Sequence, residues 1–153
     1  MKSLLHQAVL SLLLFSFFIA CKKSQVVDTF PRATQTIKYL TQLPWKETTF
    51  EYEYQNGDWI KVPVSAEVLA QTNVFRTDGT YTVYNSNGTV NTNGIYDLIG
   101  DYYQLALNKS VTYDITILNN TTLQLSQTSQ NPFIDPNTGA PTPYYGLRLT
   151  FSH

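Results

Sequence analysis

One cysteine and two histidines are all that this chain of 153 residues offers of the side chains most used in covalent and metal chemistry. A single thiol closes no internal disulfide, so a fold built from this sequence must rest on its apolar core. His6 lies within the first twenty residues and His153 is the last, so no Ser-His or His-metal cluster is expected around a fixed imidazole. Charge is scarce as well, at 14% of residues against the usual quarter or so. With a formal net charge of -1, nothing steers the chain towards nucleic acid or an acidic surface. Length allows one domain with a real core and excludes two.

Long apolar runs are lacking too, with one exception. Ala8 to Ile19 is almost wholly apolar, preceded by Lys2 and followed by Ala20. That run is too short to span a bilayer comfortably and has the build of a signal sequence. It ends at the only cysteine, in Phe18-Ile19-Ala20-Cys21, which resembles a bacterial lipobox with Phe in place of the usual Leu. An ordinary secretory signal or an uncleaved anchor is the bland alternative. The expectation is a lipoprotein signal over residues 1–20 and a lipidated tether over 21–33, with Cys21 as the attachment point. The folded domain is then 34–153. More than one acyl chain makes such anchoring stable. Lys22-Lys23-Ser24-Gln25 carries no acidic residue, which leans towards the periplasmic face of the outer membrane rather than the cell surface.

What the chain has in quantity is tyrosine, eleven in all, with Thr, Asn and Gln in place of Lys and Glu. That balance suits strands better than helices. From Val74 to Leu125 apolar residues recur with period two between tight turns. Asp78-Gly79 is the strongest turn signal, since Gly takes positive φ at no steric cost. The pattern is an all-β antiparallel up-and-down meander. Ala33, Ile37, Tyr39 and Leu40 fall at helical spacing ahead of it, predicting a short helix over about 31–41 that plugs one end.

Turn chemistry also predicts registers. A three-residue loop Gln55-Asn56-Gly57 pairs Phe50 with Val62, Tyr52 with Ile60 and Glu51 with Lys61, leaving Trp59 outward beside Glu53. Ser65 to Asn73 reads as a helical turn or a strand entry. Asn85 to Asn93 reads as a polar connection. Gly100-Asp101 as a two-residue turn pairs Leu98 with Tyr103 and Tyr96 with Leu105. The turn at Asn119-Asn120 sets Ile115 opposite Leu125 and Ile117 opposite Leu123. A long loop spans 128–143, and Tyr145, Leu147, Leu149 and Phe151 form a last strand able to close the sheet.

Leu43-Pro44-Trp45-Lys46, Phe75-x-x-Asp78-Gly79-Thr80-Tyr81, Gly94-Ile95-Tyr96-x-Leu98, Leu105-x-Leu107, Tyr113-x-Ile115 and Thr122-Leu123-x-Leu125 together resemble the lipocalin-like domain of Gram-negative bacterial lipoproteins. The resemblance covers about residues 34–153. It implies a barrel, or flattened barrel, of about eight strands, with Trp45 packing across one end. Two positions depart from the family pattern: Leu43 stands for its Gly and Tyr96 for its second Trp.

Candidate sites follow from the pattern. Phe50, Tyr52, Phe75, Tyr81, Tyr96, Tyr103 and Tyr113 form an inward aromatic set. With so many large rings pointing inward, it suits a packed core with its hydroxyls satisfied at the barrel ends slightly better than a cavity lining for a small apolar or amphipathic ligand. Tyr144 and Tyr145 could stack on carbohydrate. Glu51 and Glu53 share an outward face and suit a solvated pattern better than general acid–base work. Asp135-Pro136-Asn137-Thr138-Gly139 echoes a calcium loop but lacks its downstream Glu, so a plain turn fits better. No enzyme, cofactor, metal or nucleic-acid partner is expected. Three functions remain: a ligand-binding envelope lipoprotein, an envelope interaction module (inhibitor, adhesin or accessory subunit) with a filled barrel, or a carbohydrate-binding accessory, which would need exposed coplanar aromatics on one face. The protein partner of such a module is not legible here.

Overall fold

A computed structural model describes residues 31–134 and 139–153. The signal, Cys21 and most of the tether lie outside the described residues, as do Asp135 to Thr138 of the calcium-like loop. Helix α1 runs over Pro31–Thr41, as its spacing predicts. Pro suits the first helical position, where its missing N–H would find no partner anyway. Thr36 and Leu40, one turn apart, are both buried. At the other end of α1 the last carbonyls have no helical partner. The indole of Trp45 donates to one of them, the Leu40 carbonyl, at 2.9 Å.

After Pro44 the described residues make nine strands and one further helical turn. They are β1 (Lys46–Tyr54), β2 (Trp59–Val62), α2 (Ala66–Leu69), β3 (Thr72–Phe75), β4 (Thr80–Tyr84), β5 (Val90–Ile99), β6 (Gln104–Leu107), β7 (Val111–Leu118), β8 (Thr122–Thr128) and β9 (Tyr144–Ser152). Ser65 caps α2, its hydroxyl accepting the Val68 amide at 3.3 Å. All nine strands join one antiparallel sheet in the order β2-β1-β9-β8-β7-β6-β5-β4-β3. The last strand thus lies between β8 and the first. Trp45 and Asn73 exchange two backbone hydrogen bonds, at 2.8 and 2.7 Å, tying β3 back to the entry of β1. That single bridge curls the sheet on itself without a full ladder to close it.

Three hairpins share one construction. Gly57, Gly79 and Gly88 take φ of 86°, 81° and 80°. In each turn the Asn or Asp before the Gly accepts the amide two residues on: Asn56 from Asp58, Asp78 from Thr80, Asn87 from Thr89. The first hairpin has the expected register, with Phe50 opposite Val62, Glu51 opposite Lys61 and Tyr52 opposite Ile60.

Three expectations require correction. Asn85 to Asn93 is no simple connection: the turn at Asn87-Gly88 is tight and β5 already begins at Val90. Its Asn and Thr residues pair through the backbone and bury nothing, so periodicity could not show them. Around Gly100 the register is two residues off, since Leu98 faces Leu105 and Tyr96 faces Leu107. Gly100, Asp101 and Tyr102 all take positive φ, lengthening the turn and leaving Tyr103 outside the ladder. In the β7–β8 pair, Ile115 faces Leu125 as expected. An irregularity between Ile115 and Ile117 then resets the alternation, so Leu118 meets Leu123 and Ile117 is exposed.

The core gathers Leu40, Trp45, Phe75, Tyr81, Tyr96, Leu105, Leu123, Leu125 and Phe151. Trp45 is fully buried. Trp59 lies on the other face, under the Arg148 guanidinium at 4.3 Å. Truncating a buried Trp typically costs about 3–5 kcal/mol, and an exposed cation–π contact contributes about 0.5–1 kcal/mol. Trp45→Ala is therefore expected to lose several times the stability lost by Trp59→Ala in urea unfolding. Equal losses would contradict this placement of the two indoles.

Candidate functional site

Burial divides the inward aromatic set. Phe75, Tyr81 and Tyr96 are buried and pack ring on ring, with centroids 5.9 Å (Phe75–Tyr81) and 5.4 Å (Phe75–Tyr96) apart. Their hydroxyls are satisfied within the fold. Tyr96 donates to the Arg76 carbonyl at 2.6 Å, and Tyr81 accepts the Asn108 amide at 3.0 Å. Tyr113 packs against this cluster, half-buried. Phe50 and Tyr52 lie at the other end of β1 and touch each other at 4.7 Å. Tyr52 stacks on Tyr144 at 4.2 Å, the planes 6° apart, so Tyr144 is taken up by this pair. Tyr103 is 46% exposed and belongs to the surface.

Tyr103 does reach a cavity, but a different one. A cleft of about 350 Å³ opens between α1, the β5–β6 turn and β7. Gln35, Thr36 and Tyr39 come from the helix, Tyr102 and Tyr103 from the turn, and Ile115, Thr116 and Leu118 from the strand. The helix supplies two faces at once. Thr36 and Leu40 look to the core, while Gln35 and Tyr39 form an i, i+4 pair whose amide and hydroxyl are 3.1 Å apart. The Ile115 amide donates to the Tyr103 carbonyl at 2.6 Å, fastening the turn to β7. Tyr102, at φ 68°, occupies a left-handed conformation that an L side chain holds at a cost of about 1–3 kcal/mol. Sequence patterning had marked Tyr39 and Ile115 only for packing, and nothing marked Tyr102.

Glu47 is a second site residue that periodicity hid. The register between β1 and β9 slips between Glu47 and Thr49, which puts Glu47 opposite the buried Phe151. Among the described residues no ion pair or hydrogen bond reaches its carboxylate. Partial burial raises its pKa above the ordinary 4.5. Tyr113 is raised too, by burial first and then by its neighbours Tyr81 and Glu47. This corner of the interior therefore holds an acid and two phenols, and among the described residues no positive charge contributes to either raised pKa.

The remaining candidates are structural. Glu51 pairs with Arg148 at 2.6 Å on the outer face. Glu53 lies along Gly146, within 2.9 Å of where a β-carbon would stand. His153, expected to be loose, is fixed: its Nδ1 sits 2.8 Å from the Pro44 carbonyl and its ring 3.8 Å from that of Trp45. Among the described residues no group of three or more His, Cys, Asp or Glu is placed to hold a metal. No helix among them is long and apolar enough to cross a membrane.

No protein-family model matches the chain, and no curated protein matches it. Among solved structures it is similar to a lipocalin-like protein from Bacteroides uniformis. Identity is 15%, the match covers 74% of this chain and 96% of that one, and the TM-score is 0.43. At that level the likeness carries no family assignment.

The raised acid makes a signed prediction. The folded state favours protonated Glu47, so its contribution to stability is present below the ordinary value and is lost as pH rises through the raised one. Glu47→Gln is expected to be more stable than the parent at pH 7 in urea unfolding, with the gap narrowing as pH falls to about 4. A gap that widens on acidification would contradict the interior placement.

Proposed function

We propose that the protein is a non-enzymatic, lipid-anchored envelope protein with a lipocalin-like fold. In this reading it holds a small amphipathic molecule in the cleft between α1 and β7. One observation carries it: a cleft of small-molecule size, walled by three tyrosines with Ile115 and Leu118, and edged by the polar groups of Gln35, Thr36 and Thr116. Such a wall suits a ligand with one apolar and one hydroxylated or amide-bearing face. The positive φ of Tyr102 fits the same reading, since backbone strain clusters where a side chain is held for a ligand. The apolar signal and Cys21 support the anchor.

Native mass spectrometry of the purified protein is the direct test, with 8-anilinonaphthalene-1-sulfonate as a surrogate amphipathic probe. Tyr39→Ala and Tyr102→Ala are each expected to weaken the probe about tenfold, equivalent to about 1.4 kcal/mol. If nothing co-purifies and both variants bind the probe as the parent does, the second reading stands. That reading is an envelope interaction module, and the ring packing of Phe75, Tyr81 and Tyr96 supports it.

The anchor has its own test. Cys21→Ser is expected to leave the protein soluble and unlabelled by radioactive palmitate. Continued labelling and membrane partition of that variant would reject the lipobox.

A further inference from the structure

A second concavity lies at the end of β1 remote from Trp45. It is an open groove of about 370 Å³ between the β1–β2 turn and the chain entering β9, lined by Tyr54, Gln55, Asn56, Thr142, Pro143 and Tyr145. Among the described residues no lining side chain is charged. Its aromatic wall is backed by rings already in contact: Tyr144 stacks on Tyr52, and Tyr54 leans on Tyr144 at 5.4 Å. Thr142 and Asn56 spend their polar atoms locally. The Thr142 hydroxyl donates to the Phe133 carbonyl, and the Asn56 amide is bound to Asp58 on both its oxygen and its nitrogen. The Gln55 amide and the hydroxyls of Tyr54 and Tyr145 make no hydrogen bond among the described residues, so they remain available to a ligand.

Chemistry narrows what such a groove takes. It is too open to bury most of an apolar molecule, which is what apolar affinity requires. Its described lining has no Lys or Arg, so phosphate, single-stranded nucleic acid and acidic polymers find no counter-charge there. What it offers is ring faces, whose negative quadrupole attracts polarised C–H groups, beside neutral hydrogen-bonding groups that can stay half-wet. A sugar ring presents that pair of features: a C–H face and a hydroxylated rim. We propose that this groove binds a neutral oligosaccharide, with Tyr54 and Tyr145 as the stacking surfaces and the Gln55 amide bonding its hydroxyls. With no carboxylate among the described lining residues, the proposal is for binding and not for hydrolysis.

Isothermal titration of the full domain against a fixed set of tetrasaccharides tests this. The neutral members are cellotetraose, xylotetraose, mannotetraose, maltotetraose and tetra-N-acetylchitotetraose; the acidic member is tetragalacturonate. At least one neutral member is expected to bind with a dissociation constant below a few millimolar, and the acidic one at least about tenfold more weakly. Tyr145→Ala is expected to weaken the neutral ligand about tenfold and Gln55→Ala about threefold. Tyr103→Ala, in the other cleft, is expected to leave it unchanged. Gln55 is exposed in a turn, so its variant stays informative even where a tyrosine variant folds poorly. The proposal is overturned if no neutral member binds at 10 mM, if tetragalacturonate binds best, or if Gln55→Ala and Tyr145→Ala bind as the parent does. The cleft beneath α1 is assayed by a different probe, so either reading can fail alone.

Discussion

The indole of Trp45 sits where three parts of this structure meet. Its N–H satisfies a carbonyl in the last turn of α1, which fixes where the helix sits. Its backbone bridges Asn73, bringing β3 to the entry of β1. Its ring meets the imidazole of His153 just beyond β9. Helix, first strand and last strand thus converge on one fully buried side chain. An isolated helix of eleven residues is marginal in water, so α1 owes its place to this contact and to Leu40. The cleft beneath α1 depends on it in turn, since three of its lining residues come from the helix.

Strand irregularities decide what faces the interior. Side chains alternate strictly along a regular strand, so one extra residue inverts everything beyond it. At Thr48 the slip brings both Trp45 and Glu47 to the inner face while Phe50 and Tyr52 keep theirs. The gain is a buried indole and the cost is a half-buried acid, carried by the same two-residue step. At Thr116 the slip turns Leu118 inward and Ile117 out, and the Thr116 hydroxyl lies within hydrogen-bonding distance of the Gln124 carbonyl and side chain. Both Thr116 and Leu118 then line the cleft.

This explains what was legible in the sequence. Where a turn has its own chemistry, as at Asn56-Gly57 and Asp78-Gly79, strand pairing follows from local rules. The first hairpin pairs as those rules require. Helix α1 was legible because Pro31 and the spacing of its apolar residues agree. The slips at Thr48 and Thr116 were not, because each is settled by which large side chains fill a distant core. The left-handed run Gly100-Asp101-Tyr102 was hidden for a related reason: only its glycine advertises positive φ. Binding surfaces were therefore harder to read than pairing. The aromatic residues that alternate most cleanly, Phe75, Tyr81 and Tyr96, are those the core consumed.

That division has a physical cause. A sheet curled by a single bridge encloses little space, and large rings on several strands fill it first. Interior tyrosines must also satisfy their hydroxyls, and Tyr81 and Tyr96 do so against Asn108 and the Arg76 carbonyl. Their polar ends are then unavailable to a ligand. Tyr54 and Tyr145 at the rim are under no such demand, and their hydroxyls make no hydrogen bond among the described residues. Tyr102 and Tyr103 line a cleft at one end of the sheet, and Tyr54 and Tyr145 line a groove at the other. In this protein a tyrosine that completes the core is withheld from the proposed recognition by the bonds that let it be buried, and the proposed recognition falls to the turns.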